Sequence, residues 1–364
     1  MFKDTFNGKK IVITGHTGFK GSWLASWLRL LGAEVTGISI GIPTTPSHFD
    51  AIKLSNNTED HRIDICNFDL LKDKILESQP DFLFHLAAQP IVGQSYKNPI
   101  ETYQTNVIGT LNVLESLRYL KNSCSAVLIT SDKCYNNVEW EWGYRETDVL
   151  GGIDPYSASK GAAELIIRSH TESFFSSANS NIRIASARAG NVIGGGDWAI
   201  NRIIPDCINS WSQSKIAQLR NPNATRPWQH VLEPLSGYLS LAQNLSERPD
   251  LHGEPFNFGP HGQQNHSVAQ LVEEMSFYWD EVKWEDASIR TDAPHEATLL
   301  KLNCDKALHE LHWHASMDFK DTVRMTSEWY KMYYDQPSKS RDITNTQIED
   351  YMNISKIIGL EWTK

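Results

Sequence analysis

Two short runs of polar residues combine side chains that could move protons on a hydroxylated substrate. Tyr156 and Lys160 stand four positions apart, which places a phenol and an ammonium on one side of a helix. A neighbouring cation lowers the pKa of a phenol and suits it to act as a base toward a hydroxyl group. The pair therefore predicts a catalytic base, although this spacing alone also occurs by chance in many helices.

The second run, Ser131-Asp132-Lys133, follows an apolar segment that reads as a central strand. Ser131 would hydrogen-bond a substrate hydroxyl, Asp132 would donate or accept a proton, and Lys133 would do the reverse when neutral. The alternative is a serine that caps a turn beside a local ion pair. The carboxyl end of a central strand is where active-site residues collect, so the position favours the catalytic interpretation.

A glycine-rich turn precedes the first predicted helix. Gly15, Gly18 and Gly21 follow the apolar run Ile11–Thr14 and lead into a helix with apolar residues three and four apart. Glycines in this position let backbone amides approach a pyrophosphate at the helix N-terminus. The turn predicts a dinucleotide site, with the intervening residues Thr17, Phe19 and Lys20 as further contacts.

The end of the second strand bears on which dinucleotide binds. The segment Gly37–Ile40 contains neither the acid that grips the ribose of NAD nor the arginine that binds the extra phosphate of NADP. The missing arginine argues against NADP. Asp64 and Ile65, at the end of the third strand, are the predicted adenine contacts, and a solvated strand-end aspartate is the alternative for Asp64.

Strands alternating with helices must position these groups. The predicted fold class is α/β: a doubly wound, Rossmann-type parallel sheet with a smaller α/β substrate-binding lobe. The NAD-binding domain is predicted over 1–189, with 231–262 returning to it, and the substrate lobe over 190–230 and 263–335. Residues 336–364 form a polar C-terminal segment, of which 336–350 are expected to be loose. Helices near 100–120 and 157–175 are the longest of the first domain.

Composition excludes several function classes. A net charge of -10 over 364 residues argues against nucleic-acid binding, which needs a basic face. Five scattered cysteines and thirteen histidines form no metal-ligand or disulfide spacing, so no metal site is predicted. The apolar runs are too short to span a bilayer and the first residues do not resemble a signal peptide, so a cytoplasmic location without membrane contact is expected.

The motifs together resemble a known superfamily. Gly15–Gly21, His85–Gln89, Asn106, the Tyr156–Lys160 pair and Arg188–Asn191 resemble the extended short-chain dehydrogenase/reductase superfamily across nearly the whole chain. More narrowly, three segments closely resemble the CDP-glucose 4,6-dehydratases, a nucleotide-sugar dehydratase branch; they are 131–135, 188–198 and 226–238.

The resemblance implies an internal oxidation, elimination and reduction of CDP-glucose by one bound NAD. Tyr156 would be the base at the 4-hydroxyl, Ser131 would orient that hydroxyl, and Lys160 would bind the nicotinamide ribose. Lys133 would remove the C5 proton and Asp132 would protonate the departing 6-hydroxyl. Further cofactor contacts are expected at Leu86, Ala87, Ala88, Asn106 and Thr130, and substrate contacts at Gln89, Ser95, Asn191, Asp197, Arg202, Arg226, His230, His295 and Glu296.

One position departs from the better-known nucleotide-sugar 4,6-dehydratases, which carry a glutamate in place of Lys133. A base must be unprotonated, and an adjacent carboxylate favours a protonated lysine. We therefore hypothesise that Asp132 and Lys133 share a proton and titrate as a unit. Gly93-Gln94 also stands where similar enzymes tend to have an arginine.

Other functions remain as alternatives. A nucleotide-sugar 4-epimerase shares the fold, NAD and the Tyr156–Lys160 pair but has no need of Asp132 and Lys133. A simple ketone reductase would not need the Arg226 segment, and a non-catalytic nucleotide sensor would not need the catalytic pair. The resemblance also implies a homodimer through the two long helices, and a product that feeds deoxysugars of cell-surface polysaccharides such as O-antigen.

Overall fold

A seven-stranded sheet forms the centre of the computed structural model, which describes residues 1–176, 180–262, 264–280, 282–288 and 299–364. Every neighbouring pair of its strands is parallel, in the spatial order β11-β6-β5-β4-β1-β2-β3. These strands are β1 (Lys10–Thr14), β2 (Glu34–Ser39), β3 (Glu59–Arg62), β4 (Phe82–His85), β5 (Cys124–Ile129), β6 (Ile182–Ala189) and β11 (Pro255–Phe258). The predicted doubly wound parallel sheet is confirmed.

Six further strands in the described part of the chain are short and pair two by two outside this sheet. They are β7 (Val192–Ile193) with β10 (Gln229–His230), β8 (Ala217–Leu219) with β13 (Trp284–Asp286), and β9 (Thr225–Arg226) with β12 (His266–Ser267). All of them follow β6 in the chain, in the part predicted to bind the substrate.

Helices cover both faces of the sheet. They are α1 (Phe19–Leu30), α2 (His48–Ala51), α3 (Phe68–Ser78), α4 (Val92–Lys97), α5 (Pro99–Tyr103), α6 (Gly109–Leu117), α7 (Pro155–His170), α8 (Ile203–Trp211), α9 (Leu232–Glu247), α10 (Val268–Met275), α11 (Asp305–Leu311), α12 (Phe319–Asp335) and α13 (Ser340–Ile357). In the described part of the chain, none of them combines the length and apolarity that crossing a membrane requires.

Alternation along β1 shows how the sheet separates two cores. Ile11 and Ile13 face the core beneath α1 and α9, whereas Val12 faces the core beneath α3, α6 and α7. All three side chains are buried. Since a strand that is covered on both faces has no polar side, β1 reads as a continuous apolar run.

The C-terminal segment was predicted to be loose, and that prediction was wrong. Residues Ser340–Ile357 form α13, which packs against α1 and α12. The polar composition misled because Ser340, Thr344 and Tyr351 are buried there and find hydrogen-bond partners. Buried polar groups that are paired in this way do not prevent a segment from packing.

The long helix predicted near 100–120 is also corrected. It is divided into α5 and α6, with a π-helical turn at Gln104–Ile108 between them. The helix predicted over 157–175 begins at Pro155 and likewise ends in a π-helical turn, Thr171–Phe175. Such insertions widen the backbone locally, and they do not change the apolar spacing enough to be visible in the sequence.

Candidate active site

The glycine turn lies between β1 and α1, where close backbone approach requires glycine. Gly15 has a φ of +81°, and a Cβ at Gly21 would stand 2.1 Å from the carbonyl oxygen of Gly15. Gly18 is the N-cap residue of α1 and makes no side-chain cap. The first turn of α1 therefore has backbone amides that no N-cap side chain occupies, as a pyrophosphate site requires.

Two side chains of this turn have hydrogen-bond partners outside it. The Thr17 hydroxyl donates to the carbonyl oxygen of Gly41 at 2.6 Å. The Lys20 ammonium lies 3.5 Å from the Tyr238 hydroxyl, and burial, followed by the charge of Arg202, lowers its pKa to about 8. The turn fits a dinucleotide, because it is so tight that a Cβ at Gly15 or Gly21 would collide with the backbone of Ala87 or of Gly15.

An acid lies beside β2 on the neighbouring strand, β3. Asp60 receives a hydrogen bond from the His16 ring at 2.9 Å and an ion pair from Arg62 at 2.7 Å. The other nitrogen of the His16 ring lies 2.9 Å from the Ser39 hydroxyl. Sequence reasoning missed this network because it joins three strands, and only the register of β2 with β3 reveals it.

The predicted adenine contacts have different environments. Asp64 is exposed and accepts a hydrogen bond from the amide of Cys66 at 2.9 Å. The side chain of Ile65 is buried in the core beside Gly109, and its carbonyl oxygen accepts from Asn112. Of the two side chains, that of Asp64 is the exposed one, and both adenine contacts stay predictions.

The chain after β4 forms one rim of the cleft. Leu86, Ala87 and Ala88 are half-buried at the carboxyl end of that strand, next to β1. Asn106 was predicted to contact the cofactor, but its amide is fully used: it bonds to the Gln89 backbone at both atoms and donates to Ser159. Asn106 thus fixes this rim against α7.

The catalytic turn, defined here as Ser131–Cys134, leaves the carboxyl end of β5. The Ser131 hydroxyl donates to Asp132 Oδ1 at 2.9 Å and accepts from the amide of Lys133 at 3.2 Å, so this serine also caps the turn. Asp132 is buried and Lys133 is half-buried. In the described part of the chain no salt bridge joins Asp132 to Lys133 within 4.0 Å, and the proton sharing stays a prediction.

Glycine at position 190 makes room for the catalytic turn. A Cβ there would lie 2.7 Å from Asp132 Oδ2, so β6 passes close behind this carboxylate. The segment Arg188–Asn191 therefore contributes a residue without a side chain, Gly190, as well as polar groups.

Tyr156 and Lys160 lie on the first turns of α7, next to the catalytic turn. The helix begins at Pro155, and Asp154 caps it by accepting from the amide of Ser157 at 3.0 Å. Burial raises the pKa of Tyr156 to about 12, opposed by a hydrogen bond with Ser131. Burial lowers the pKa of Lys160 to about 8, opposed by the Glu164 carboxylate. In this structure burial outweighs the cation effect expected for the phenol.

A buried ion pair beneath these residues was not predicted. Glu164 and Arg188 lie 2.7 Å apart, and the pair also bonds Thr130 and Tyr135. The available signal was the spacing of Glu164, one helical turn after Lys160. Thr130, predicted as a cofactor contact, is buried and donates its hydroxyl to Glu164.

The candidate phosphate ligands lie in the part of the chain that follows β6. Arg202 forms an ion pair with Asp197 at 2.8 Å. The charge of Asp197 is the main cause that raises the pKa of this guanidinium, and Tyr156 raises it further. Arg226 is half-buried on β9 and donates to the carbonyl oxygen of Thr225. Asn191 is half-buried just before β7. The charge of Arg202 lowers the pKa of the Tyr156 phenol, against the effect of burial.

Several predicted substrate contacts have side chains that are buried or hydrogen-bonded within the protein, and their contacts with the substrate stay predictions. His230 is buried against Trp23, where burial lowers its pKa to about 3. Ser95 is fully buried and donates to Val92 in its own helix, while the Gln89 side chain bonds Thr102 and Ile91. His295 and Glu296 lie outside the described residues.

Known proteins resemble the chain over nearly its full length. Solved structures include UDP-glucose 4-epimerase from Brucella ovis in complex with NAD (TM-score 0.74, 18% identity, covering 89% of this chain and 98% of that one). Another is UDP-glucuronic acid 4-epimerase from Bacillus cereus in complex with UDP-glucuronic acid and NAD (TM-score 0.75, 21% identity, covering 89% and 99%). The fold is that of the extended short-chain dehydrogenase/reductases.

The sequence defines the family more narrowly. The model of the family described as GDP-mannose 4,6 dehydratase matches residues 12–326, and the chain belongs to this family. It is 45% identical over 360 residues to the CDP-glucose 4,6-dehydratase of Salmonella typhimurium, covering 96% of this chain and 98% of that protein.

Proposed function

We propose that the protein converts CDP-glucose to CDP-4-dehydro-6-deoxyglucose and water. The observation that carries this proposal is the Ser131-Asp132-Lys133 turn beside the Tyr156 phenol. A 4-epimerase needs a base at the 4-hydroxyl alone, whereas this site also holds an acid and an amine for chemistry at C5 and C6. The 45% identity to a CDP-glucose 4,6-dehydratase supports the choice of substrate.

NAD is the proposed cofactor, held by the turn Gly15–Gly21 and the rim Leu86–Ala88. When bound, it would supply a hydride acceptor for the first oxidation and a donor for the last reduction. Support comes from the uncapped backbone amides at the start of α1. It also comes from Arg62, because this arginine is paired with Asp60 instead of being placed for the extra phosphate of NADP. Asp64 would contact the adenine.

The residues around the phenol would handle the 4-hydroxyl proton. Ser131 would orient the hydroxyl, Tyr156 would take its proton, and Lys160 would stabilise the phenolate and bind the nicotinamide ribose. Since burial raises the pKa of Tyr156 to about 12 in this structure, a cation close to the phenol is needed for it to act as a base near neutral pH. Lys160 and Arg202 are the candidates.

The catalytic turn would carry out the elimination. Lys133 would remove the C5 proton made acidic by the neighbouring ketone, and Asp132 would protonate the 6-hydroxyl so that it leaves as water. Lys133 would then return a proton to C5. Proton sharing between Asp132 and Lys133 would be contradicted by a pH-rate profile that Lys133→Met leaves unchanged.

The nucleotide-sugar diphosphate would lie against Arg202 and Arg226, because planar guanidinium groups match phosphate oxygens in pairs. Asn191 would contact the phosphate or the sugar, and Asp197 would hold Arg202 in place, as its 2.8 Å ion pair supports.

A homodimer is proposed through the surfaces of α5–α6 and α7. Ile100, Ile108 and Leu165 are exposed apolar side chains on these elements, which supports burial against a second copy. A monomer mass by light scattering at working concentration would contradict it. The proposed setting is the cytoplasm, where the product would feed deoxysugars of surface polysaccharides such as O-antigen.

The test is to incubate the purified protein and NAD separately with CDP-glucose, dTDP-glucose, UDP-glucose and GDP-mannose, and to follow product mass. Loss of one water from CDP-glucose alone is the expected result. Loss of water from another sugar nucleotide would keep the chemistry and overturn the substrate. An unchanged mass with inverted C4 would indicate an epimerase, and no change of either kind would indicate a nucleotide sensor.

A further inference from the structure

Glu164 is a buried carboxylate beside the active site that has no part in the proposed chemistry. Its Oε2 accepts from Arg188 at 2.7 Å and from the Ser186 hydroxyl at 2.9 Å, and its Oε1 accepts from the Thr130 hydroxyl. Both oxygens are therefore occupied, and Glu164 is fully buried with Arg188 as its counter-charge. These contacts join α7 to β5 and β6.

The contacts of this ion pair reach both ends of the catalytic turn. Thr130, which bonds Glu164 directly, immediately precedes Ser131. Tyr135, which immediately follows Cys134, accepts a hydrogen bond from Arg188 Nη1 at 2.7 Å. One carboxylate–guanidinium pair thus fixes the residues before and after the turn that carries the acid and the amine.

The same carboxylate stands one helical turn after Lys160 on α7, and its charge raises the pKa of this ammonium against the effect of burial. The other titratable groups that interact with this ammonium are the Cys134 thiol from the catalytic turn, His85 from β4 and Lys20 from α1. Burial raises the pKa of the Cys134 thiol and lowers the pKa of His85 to about 3, so both of these neighbours of Lys160 are neutral near pH 7. Burial also lowers the pKa of Lys160 itself. Glu164 is then the anion that keeps Lys160 charged.

We propose that Glu164 is a positioning residue of the dehydratase: paired with Arg188, it holds the Ser131–Cys134 turn at both ends and maintains the charge of Lys160. The inference rests on the proposed function, because the turn and Lys160 take their roles from it. Glu164 itself touches neither the reacting sugar nor the cofactor.

The test compares Glu164→Gln with Glu233→Gln. Glu233 is a matched control: it is also a buried carboxylate with three hydrogen bonds, from Ser316, Met317 and Tyr351, and it lies on α9 away from the turn. In Glu164→Gln, kcat is expected to fall by about 10- to 100-fold with little change in KM, the range typical when a group that orients a functional residue is lost. In Glu233→Gln, kcat is expected to stay near the wild-type value.

The pH profile separates positioning from a general loss of stability. Because Glu164 opposes the effect of burial on Lys160, its removal lowers the pKa of this lysine below its present value of about 8. The alkaline limb of kcat is therefore expected to move to lower pH by about one unit in Glu164→Gln, and to return toward the wild-type position in Glu164→Asp. Glu233→Gln leaves the limb in place.

Two further variants cover the case in which Glu164→Gln does not fold. Thr130→Val removes the hydrogen bond to Glu164, and Tyr135→Phe removes the hydrogen bonds of its hydroxyl with Arg188 and Asn257. Both variants keep the ion pair, so kcat should fall several-fold without a shift of the alkaline limb. Amide hydrogen exchange of residues 131–135 should quicken in both variants, and this readout needs no substrate. A wild-type kcat and wild-type amide exchange in both Thr130→Val and Tyr135→Phe would overturn the positioning of the turn. An alkaline limb of kcat that does not move in folded Glu164→Gln would overturn the role of Glu164 toward Lys160. An inactive wild type with fast exchange in the variants would instead overturn the proposed function alone.

Discussion

Two regions of the molecule bury polar side chains and use them in opposite ways. Between β5, β6 and α7, Glu164 and Arg188 form a charged pair, and the Lys160 ammonium lies beside it. Beneath α9, α12 and α13, burial raises the pKa of Glu233 to about 7 and lowers that of His48 to about 3. The first region keeps its charges, whereas the second moves toward neutral hydrogen-bonded groups.

The difference follows from what each region holds in place. Charges kept in a low-dielectric site act strongly on groups that gain or lose protons, which a catalytic region requires. The second region joins α13 to α1 and α12 through large aromatic side chains, among them Trp27 and Trp329, where an unpaired charge would only destabilise the fold. Changes in the first region should therefore reduce activity, and changes in the second should reduce stability.

The largest expected effect is that of Tyr156→Phe. Removing the phenol should lower kcat by about 10²- to 10⁴-fold, the usual contribution of a positioned general base, with little change in melting temperature. Steady-state kinetics and thermal unfolding measure both quantities. Tyr351→Phe is the matched control in the second region, where the hydroxyl bonds Glu233, and it should cost about 1 kcal/mol of stability and leave kcat unchanged.

Trp329→Ala should produce the reverse pattern. The ring is fully buried, stacks on Tyr333 with centroids 5.7 Å apart, and donates from Nε1 to Thr344 at 2.9 Å. Its truncation should reduce the free energy of unfolding by about 3–5 kcal/mol in urea titrations. A folded fraction whose kcat fell as far as that of Tyr156→Phe would break the division between the two regions.

Glu233→Gln should change how stability depends on pH. Because the folded-state pKa of about 7 lies above the ordinary value of 4.5, the folded protein holds this proton more tightly than the unfolded chain does. Stability from Glu233 is therefore present below about pH 4.5 and is lost as the pH rises toward 7, by up to about 3 kcal/mol. The melting temperature of Glu233→Gln relative to the wild type should rise over this interval, and a difference independent of pH would contradict the account.

Gly190→Ala should have the smallest effect of the four. The added Cβ would stand 2.7 Å from Asp132 Oδ2, so the carboxylate must shift. We expect kcat to fall about tenfold, equivalent to about 1.4 kcal/mol, with KM nearly unchanged. Gly93→Ala is the control, because a Cβ there meets no atom within 4 Å.

The parts of the fold predicted from sequence were those with strong local patterns. Most sheet strands were found because they are short apolar runs next to a turn, as at Ile11–Thr14. Strand β3 is polar, and its predicted end at Ile65 lies beyond the observed end at Arg62. Helix α13 was missed because its buried positions are filled by polar and mixed side chains such as Thr344 and Gln347. Their burial depends on partners more than ten residues away in sequence, which a periodicity argument does not contain.

Prediction of the site divides in the same way. The glycine turn, the catalytic turn and the Tyr156–Lys160 pair are local motifs, and the structure brings them to one end of the sheet. His230 and Ser95 were named from the family resemblance, which carries no information on burial, and both side chains are buried. The Asp60 and Glu164 networks were missed because each joins several strands or helices.

The most direct test of the central claim follows the hydrogen on C4 of the substrate. CDP-glucose carrying deuterium at C4 would be incubated with the protein and NAD, and the product examined by mass spectrometry and NMR. Internal oxidation, elimination and reduction predicts a product that has lost one water and carries the deuterium at C6. Deuterium that stays at C4, or is lost without dehydration, would contradict the account.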